Sequence, residues 1–93
     1  MNRRSERWRH ADRIAFDSAG DEMVVLNLRS GEYYTLNGVA GAAWGRLTAW
    51  RTQDEIAESL WRVYDVRRET LDKDLAALIE DLERHGLVTR EAG

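Results

Sequence analysis

The spacing of apolar residues changes once along this 93-residue chain, at Asn37. Before that point apolar side chains alternate with polar ones over short runs, which predicts β-strands. Beyond it they recur every three or four residues, which predicts helices. A chain whose strands all precede its helices is expected to form an α+β domain. We therefore predict a three-stranded antiparallel sheet followed by three α-helices, which pack on one face of the sheet.

Three short strands are predicted in the first part of the chain. They cover residues 13–17, 23–28 and 33–36, which are rich in aliphatic and aromatic side chains. Turn-forming residues at 18–21 and 29–32 separate them, so consecutive strands are expected to pair as an antiparallel meander. The third strand is the last in this order and is therefore free to lie at an edge of the sheet.

Three helices are predicted after the strands. Asn37 is a suitable N-cap for the first helix, and the three glycines within that helix mean that packing must stabilise it. Thr52 and Glu55 form a capping-box pattern at the start of the second helix. The third helix runs from about 67 to 85, with apolar residues at helical spacing, and Gly86 is placed to end it in a left-handed conformation.

The chain offers few residues for catalysis. It has no cysteine, which excludes disulfides, thiolate nucleophiles and cysteine-bound zinc. Its two histidines, His10 and His85, lie at opposite ends of the sequence and belong to no Ser-His-Asp order or metal-ligand spacing. No apolar run approaches the ~18 residues of a membrane span, and residues 1–9 do not resemble a secretory signal. We therefore expect a cytoplasmic protein that is not an enzyme, with no catalytic residue, metal site, cofactor or membrane contact.

Charge is distributed unevenly along the chain, whose net charge is −3. Residues 1–13 carry a net charge of +3, so the remaining eighty residues carry −6. Because residues 1–11 show no apolar periodicity, we interpret them as a flexible basic N-terminal arm, with the folded domain at residues 12–90. The alternative is that this arm contacts an acidic partner or nucleic acid.

A winged-helix regulator that binds DNA is a second hypothesis, since such domains have this size and helical architecture. The third helix would then be the recognition helix. Residues 67–86 hold four basic side chains against six acidic ones, a net charge of −2. DNA phosphates, which supply most of the affinity in such complexes, would repel this helix. The sequence therefore disfavours a nucleic-acid partner.

Two ordered sets of residues resemble one known family. The first is the run from Asp21 to Asn37, a hairpin that ends in Leu-Asn and is followed by a helix containing Trp44. The second set comprises Arg51-Thr52, Glu55-Ile56, Leu60, Tyr64-Asp65-Val66, Asp74, Leu78, Leu82 and Gly86-Leu87-Val88. Taken in order, they resemble the PqqD-like family over residues 13–89.

The resemblance implies a fold and a function. The family comprises the peptide chaperone of pyrroloquinoline quinone synthesis and the leader-recognition domains (RiPP recognition elements) of modified-peptide pathways. Its members have a winged-helix-like fold and bind a leader peptide as an extra strand along the third strand, against the third helix. The 31–37 hairpin and the free-standing size are most similar to the leader-binding subunit of lasso-peptide biosynthesis. That subunit delivers the precursor to a separate cysteine protease; delivery to another modifying enzyme and the quinone-pathway chaperone are the alternatives.

Strand addition requires an exposed edge with free backbone N–H and C=O groups, and pockets for alternate side chains. On the third strand Tyr34 shares one face with Leu36, whereas Tyr33 and Thr35 share the other. The peptide-binding residues expected on this basis are Glu32, Tyr33, Tyr34, Thr35, Leu71, Asp74, Leu75 and Leu78. Asp74 would pair with a basic residue of the leader. The alternative is that the tyrosines and leucines only fill the core and that Asp74 belongs to a solvated helix face.

Overall fold

The computed structural model describes residues 6–91 of the chain. Its elements in chain order are β1 (Arg7–His10), β2 (Ile14–Ala19), β3 (Glu22–Asn27), β4 (Tyr33–Asn37), α1 (Gly38–Gly45), a 3-10 turn (Arg46–Thr48), β5 (Arg51–Thr52), α2 (Gln53–Trp61), α3 (Arg68–Arg84) and β6 (Val88–Arg90). The strands form two three-stranded antiparallel sheets, with the orders β2-β3-β4 and β5-β1-β6. The predicted α+β class is confirmed.

The β2-β3-β4 sheet is the predicted meander, with β3 in its centre. On the face that packs against the helices, Val25 is fully buried and lies opposite Tyr34, and Met23 lies opposite Leu36. Alternation places these residues on one face, because successive side chains of a strand point in opposite directions. Among residues 6–91, no strand pairs with the outer edge of β4. The third predicted strand is therefore an edge strand.

The glycine-rich helix α1 follows β4 directly. Asn37 occupies the N-cap position, but its side chain makes no capping hydrogen bond. Gly41 lies against β4: a Cβ atom at this position would be 3.3 Å from the Leu36 carbonyl oxygen. This close approach meets the expectation that packing holds the helix. The same helix carries Trp44, which is fully buried in the core.

Helix α2 begins and helix α3 ends through the capping interactions that the sequence predicts. The Thr52 N–H donates to Glu55 Oε1 at 2.8 Å, and the Glu55 N–H donates to Thr52 Oγ1 at 3.1 Å. At the end of α3, Gly86 has a φ of 73°. This left-handed turn lets the Leu87 N–H donate to the Leu82 carbonyl at 2.9 Å and buries the Leu87 side chain.

The second sheet shows that one prediction was wrong. We predicted a flexible arm over residues 1–11, but Arg7–His10 form the central strand of the β5-β1-β6 sheet. Trp8 is only 2% exposed and belongs to the core, so the folded domain begins before residue 12. Trp8 points inward and the arginines on either side of it are exposed. This period-two pattern has only one apolar residue, which is too few to predict a strand. Residues 1–5 lie outside the described part of the chain.

His10 ties this strand to the rest of the core. Its ring stacks on Trp44, with 4.0 Å between ring centroids, and makes an edge contact with Phe16 at 4.7 Å. Its Nε2–H donates to the Trp44 carbonyl oxygen at 2.8 Å. Burial lowers the pKa of His10 below its ordinary value, and the positive charge of Arg9 lowers it further, although the hydrogen bond to Trp44 opposes both effects.

We predict that Trp8→Ala lowers the free energy of unfolding by about 3–5 kcal/mol, because it removes a large buried aromatic side chain. Urea unfolding followed by circular dichroism measures the change. Arg7→Gln is the matched control on the same strand: its side chain is exposed, so the loss should be within about 0.5 kcal/mol. An unchanged unfolding midpoint for Trp8→Ala would mean that β1 does not pack against the core.

We also predict that stability falls as the pH is lowered from 7.5 to 5.5. The folded state holds His10 at a pKa below the unfolded value, so it binds fewer protons than the unfolded chain in this range. The stabilisation is present above about pH 6.5, the pKa of a histidine in the unfolded chain. It is lost as the pH falls towards the pKa of His10 in the folded chain. Unfolding free energies of the native chain and of His10→Gln at both pH values test this. Equal pH dependence in the two proteins would contradict it.

Candidate functional site

The outer edge of β4 exposes backbone hydrogen-bonding groups. The Glu32 carbonyl accepts from the Asn27 N–H of β3 at 2.8 Å, so this carbonyl faces β3. Residues of an edge strand alternate between groups that face the neighbouring strand and groups that face outward. The N–H and C=O groups of Tyr33 and Thr35 therefore point away from the sheet. They are available to an added strand.

The two tyrosines of β4 lie on opposite faces of the sheet. Tyr34 is half-buried, packs against the core, and its ring centroid lies 4.9 Å from that of His85 at the end of α3. Its hydroxyl donates to Glu32 Oε1 at 3.4 Å. Partial burial and the Glu32 carboxylate raise the pKa of Tyr34, so the hydroxyl stays protonated at neutral pH. Tyr33 is 71% exposed on the opposite face, where it lies opposite Leu26.

The predicted leucines of α3 lie at different depths. Leu71 and Leu75 are only 2% and 1% exposed, so both are core residues. Leu78 is half-buried, packs against the same core and lines a shallow surface depression of about 490 Å³ along α3. The depression also includes Asp74. Of the three leucines, Leu78 is therefore the one at the surface in the free chain.

Asn27 holds the hairpin of β3 and β4 against the end of α3. Its side-chain amide donates to the His85 carbonyl at 2.9 Å. Its Oδ1 accepts from the backbone N–H groups of Arg29 and Ser30, at 2.9 Å and 3.2 Å. Our sequence analysis did not identify this residue as part of the site. Its signal was an asparagine directly before a turn, where asparagine commonly bonds backbone groups two residues ahead.

The exposed side of α3 is acidic. Asp74, Glu80 and Asp81 line the depression there, Asp81 lies close enough to Tyr34 of β4 to raise its pKa further, and Glu32 adds a carboxylate from the β4 side. Arg84 is the basic side chain among them, and it pairs with both Glu80 and Asp81. A ligand between β4 and α3 would therefore meet excess negative charge. Neutral or basic side chains fit this surface better than acidic ones.

The remaining chemistry of the described residues is limited. Residues 6–91 contain no group of three or more metal-ligating side chains and no buried charged residue. No helix in that range is long and apolar enough to cross a membrane. What stands out is a small α+β domain of the winged-helix-like class, with an open strand edge beside a helix. Its surface is suited to holding an extended chain.

Comparisons with known proteins agree with this description. The sequence model of the family described as coenzyme PQQ synthesis protein D (PqqD) matches residues 22–88. The chain therefore belongs to the PqqD family, and the matched range runs from β3 to the start of β6. A search of curated protein sequences gives no match.

Two solved structures have the same fold. The first, TbiB1 in complex with the TbiA(beta) leader peptide, superposes with a TM-score of 0.82 and 27% identity, over 91% of this chain and 99% of that one. The second, lasso peptide synthetase B1 complexed with the leader peptide, gives a TM-score of 0.78 and 32% identity, over 88% of this chain and 96% of that one. Both matches extend beyond the range of the family model.

Proposed function

We propose that this chain binds the leader segment of a ribosomally synthesised precursor peptide as a strand added to β4. The observation that carries the proposal is the open edge of β4, where the backbone groups of Tyr33 and Thr35 face outward beside α3. Both solved relatives are complexes with leader peptides, which supports the same role here. Of the pathways that use such domains, lasso-peptide biosynthesis is the one we favour.

Energetics favours a site with both backbone and side-chain contacts. Ordering a flexible peptide costs roughly 2–5 kcal/mol, and four backbone hydrogen bonds of about 0.5–1.5 kcal/mol each offset little more than this cost. Apolar burial must supply most of the rest. Tyr34, Leu36 and Leu78 are the partly buried apolar side chains on this side of the core, and they provide that surface. Leu71 and Leu75 are buried in that core.

Catalysis, in this proposal, belongs to a partner enzyme. Neither histidine is placed as a catalytic base: the ring of His10 lies against Trp44 and Phe16, and that of His85 lies against Tyr34. The partner we propose is the cysteine protease that removes the leader during lasso-peptide maturation. A chaperone of pyrroloquinoline quinone synthesis is the second candidate, because the family to which the chain belongs is described as coenzyme PQQ synthesis protein D. Binding measurements with precursor peptides of the two pathways discriminate between them.

We predict that Thr35→Pro weakens leader binding at least tenfold and leaves the fold intact. Proline lacks the N–H group, and at this position the lost donor points outward rather than into the β3-β4 pairing. Thr35→Val is the matched control, because it retains the N–H and a side chain of similar shape. Calorimetric titration with lasso-precursor leader peptides, beginning with the TbiA(beta) leader that the relative TbiB1 binds, measures the affinities. Equal affinities for both variants would place the peptide elsewhere.

We predict that Tyr34→Ala and Leu78→Arg each weaken leader binding at least tenfold, about 1.4 kcal/mol. The first removes apolar contact area and the second places a charge between β4 and α3. Leu78 is chosen over Leu75 because a charge at the buried Leu75 would unfold the chain. Val63→Arg is the control: Val63 is 68% exposed in the connection between α2 and α3, so binding should not change.

Hydrogen exchange locates the peptide independently of these variants. Amides of residues 33 and 35 should exchange more slowly when the peptide is present, while the amide of Val63 should be unaffected. Slower exchange confined to another surface, together with normal binding by Tyr34→Ala and Leu78→Arg, would refute the proposed site.

A further inference from the structure

A second concave site lies where the two sheets meet, outside the surface between β4 and α3. It is a cavity of about 630 Å³. Three arginines and a tryptophan from different elements line it, and we call it the arginine pocket: Arg9 of β1, Arg29 of the β3-β4 turn, Arg90 of β6, and Trp50. Asp12 is the acidic residue of its wall. The chain as a whole carries a net charge of −3, so the charge of this pocket is opposite in sign to that of the whole chain.

Two of these arginines retain an uncompensated charge. Within residues 6–91, neither Arg9 nor Arg29 forms an ion pair with a carboxylate. The guanidinium carbon of Arg9 lies 5.6 Å from the centroid of the Trp50 ring, and this stacking orients the group without neutralising it. Arg90 differs, because it pairs with Glu6 at 3.1 Å and with Glu83 at 3.8 Å. The pocket therefore offers two guanidinium groups to an anion.

The pocket adjoins one end of the proposed peptide site. Asn27 and Gly86 belong to its wall, and Asn27 also joins the start of the hairpin turn to the end of α3. A strand added beside β4 would lie two strand spacings, about 10 Å, from β3. An extended chain covers about 3.3 Å per residue, so a few residues beyond the hairpin end of β4 suffice to reach the pocket.

We propose that the arginine pocket binds an acidic segment of the same peptide, located a few residues from the part that lies on β4. This inference rests on the proposed function. The two surfaces have opposite sign: Asp81 lies near Tyr34 of β4, whereas Arg9 and Arg29 line the arginine pocket. Guanidinium groups recognise carboxylates through paired N–H donors, which gives geometry as well as charge.

The pocket is tested alone with a short acidic probe. Acetyl-tetraglutamate amide is titrated into ¹⁵N-labelled protein at low salt, with acetyl-tetraglutamine amide as the neutral control. Saturable shifts confined to residues near 9, 29, 50 and 90 are expected for the acidic probe only. Arg29→Gln should weaken its binding at least threefold, whereas Arg67→Gln, an exposed arginine at the start of α3, should not. Shifts spread over the surface, or equal binding by both variants, would overturn the proposal.

A nucleic-acid ligand is examined in the same experiment. A 12-base-pair duplex is added to the complex of protein and acidic probe. Retention of the probe at equimolar duplex supports the acidic-peptide assignment. Displacement of the probe, with Arg29→Gln weakening duplex binding, would overturn it in favour of DNA.

The connection to the peptide on β4 is tested by selecting random 15-residue peptides displayed on phage. Native protein should select peptides with alternating apolar residues and with Asp or Glu enriched towards one end. The Arg9→Gln/Arg29→Gln double variant should select the same apolar pattern without the acidic end. Peptides with no acidic preference would refute the connection. Failure to select any alternating pattern, while the tetraglutamate probe still binds, would refute the proposed function and the connection, and would leave the anion site itself standing.

Discussion

The position of β4 relative to α3 depends on the contact that Asn27 makes between them. The Asn27 side chain hydrogen-bonds the carbonyl of His85 and two backbone amides of the hairpin turn. It therefore fixes the hairpin and α3 to each other at that end. The ring of Tyr34 against His85 adds an apolar contact beside it. These groups join the hairpin to α3 at one end. The helix therefore does not need to cover the outer backbone edge of β4, which stays free.

An open edge is normally a hazard, because its free backbone groups invite pairing with other chains. Here β4 is only five residues long, and the carboxylates of Glu32 and Asp81 lie close to its Tyr34. A short acidic edge repels copies of itself, whose edges carry the same charge. On the proposed function, it accepts a neutral or basic strand. The features expected to limit self-association would then also select the ligand.

Local signals predicted most of the main sheet and all three helices. Thr52, Glu55 and Gly86 form hydrogen bonds with groups only a few residues away in the sequence, so their roles follow from sequence spacing. The β5-β1-β6 sheet could not be predicted in this way, because β1 pairs with strands about 40 and 80 residues away. A four-residue strand with two arginines carries too few apolar positions to reveal that pairing.

The candidate site was predictable to the level of the strand and the helix, but not of each side chain. Period-two alternation separated Tyr34 from Tyr33, because it depends only on the backbone of one strand. The leucine stripe of α3 was also evident, yet periodicity does not give the rotation of the helix about its axis. That rotation buries Leu75 and leaves Leu78 half-exposed. Tertiary packing sets it, so only the structure reveals which leucine reaches the surface.

Backbone hydrogen bonds alone would not give a bound peptide a direction. Parallel and antiparallel strands both pair with an open edge, and neither arrangement is strongly preferred per residue. Direction must come from a difference between the two ends of the site. On the proposed function, that difference is electrostatic: acidic side chains of α3 line the body of the site, and Arg9 and Arg29 lie beyond the hairpin end. A peptide with an acidic segment on one side would bind in one orientation, because reversal places its carboxylates far from the arginines. Register would follow, since the same attraction sets how far the peptide extends past β4.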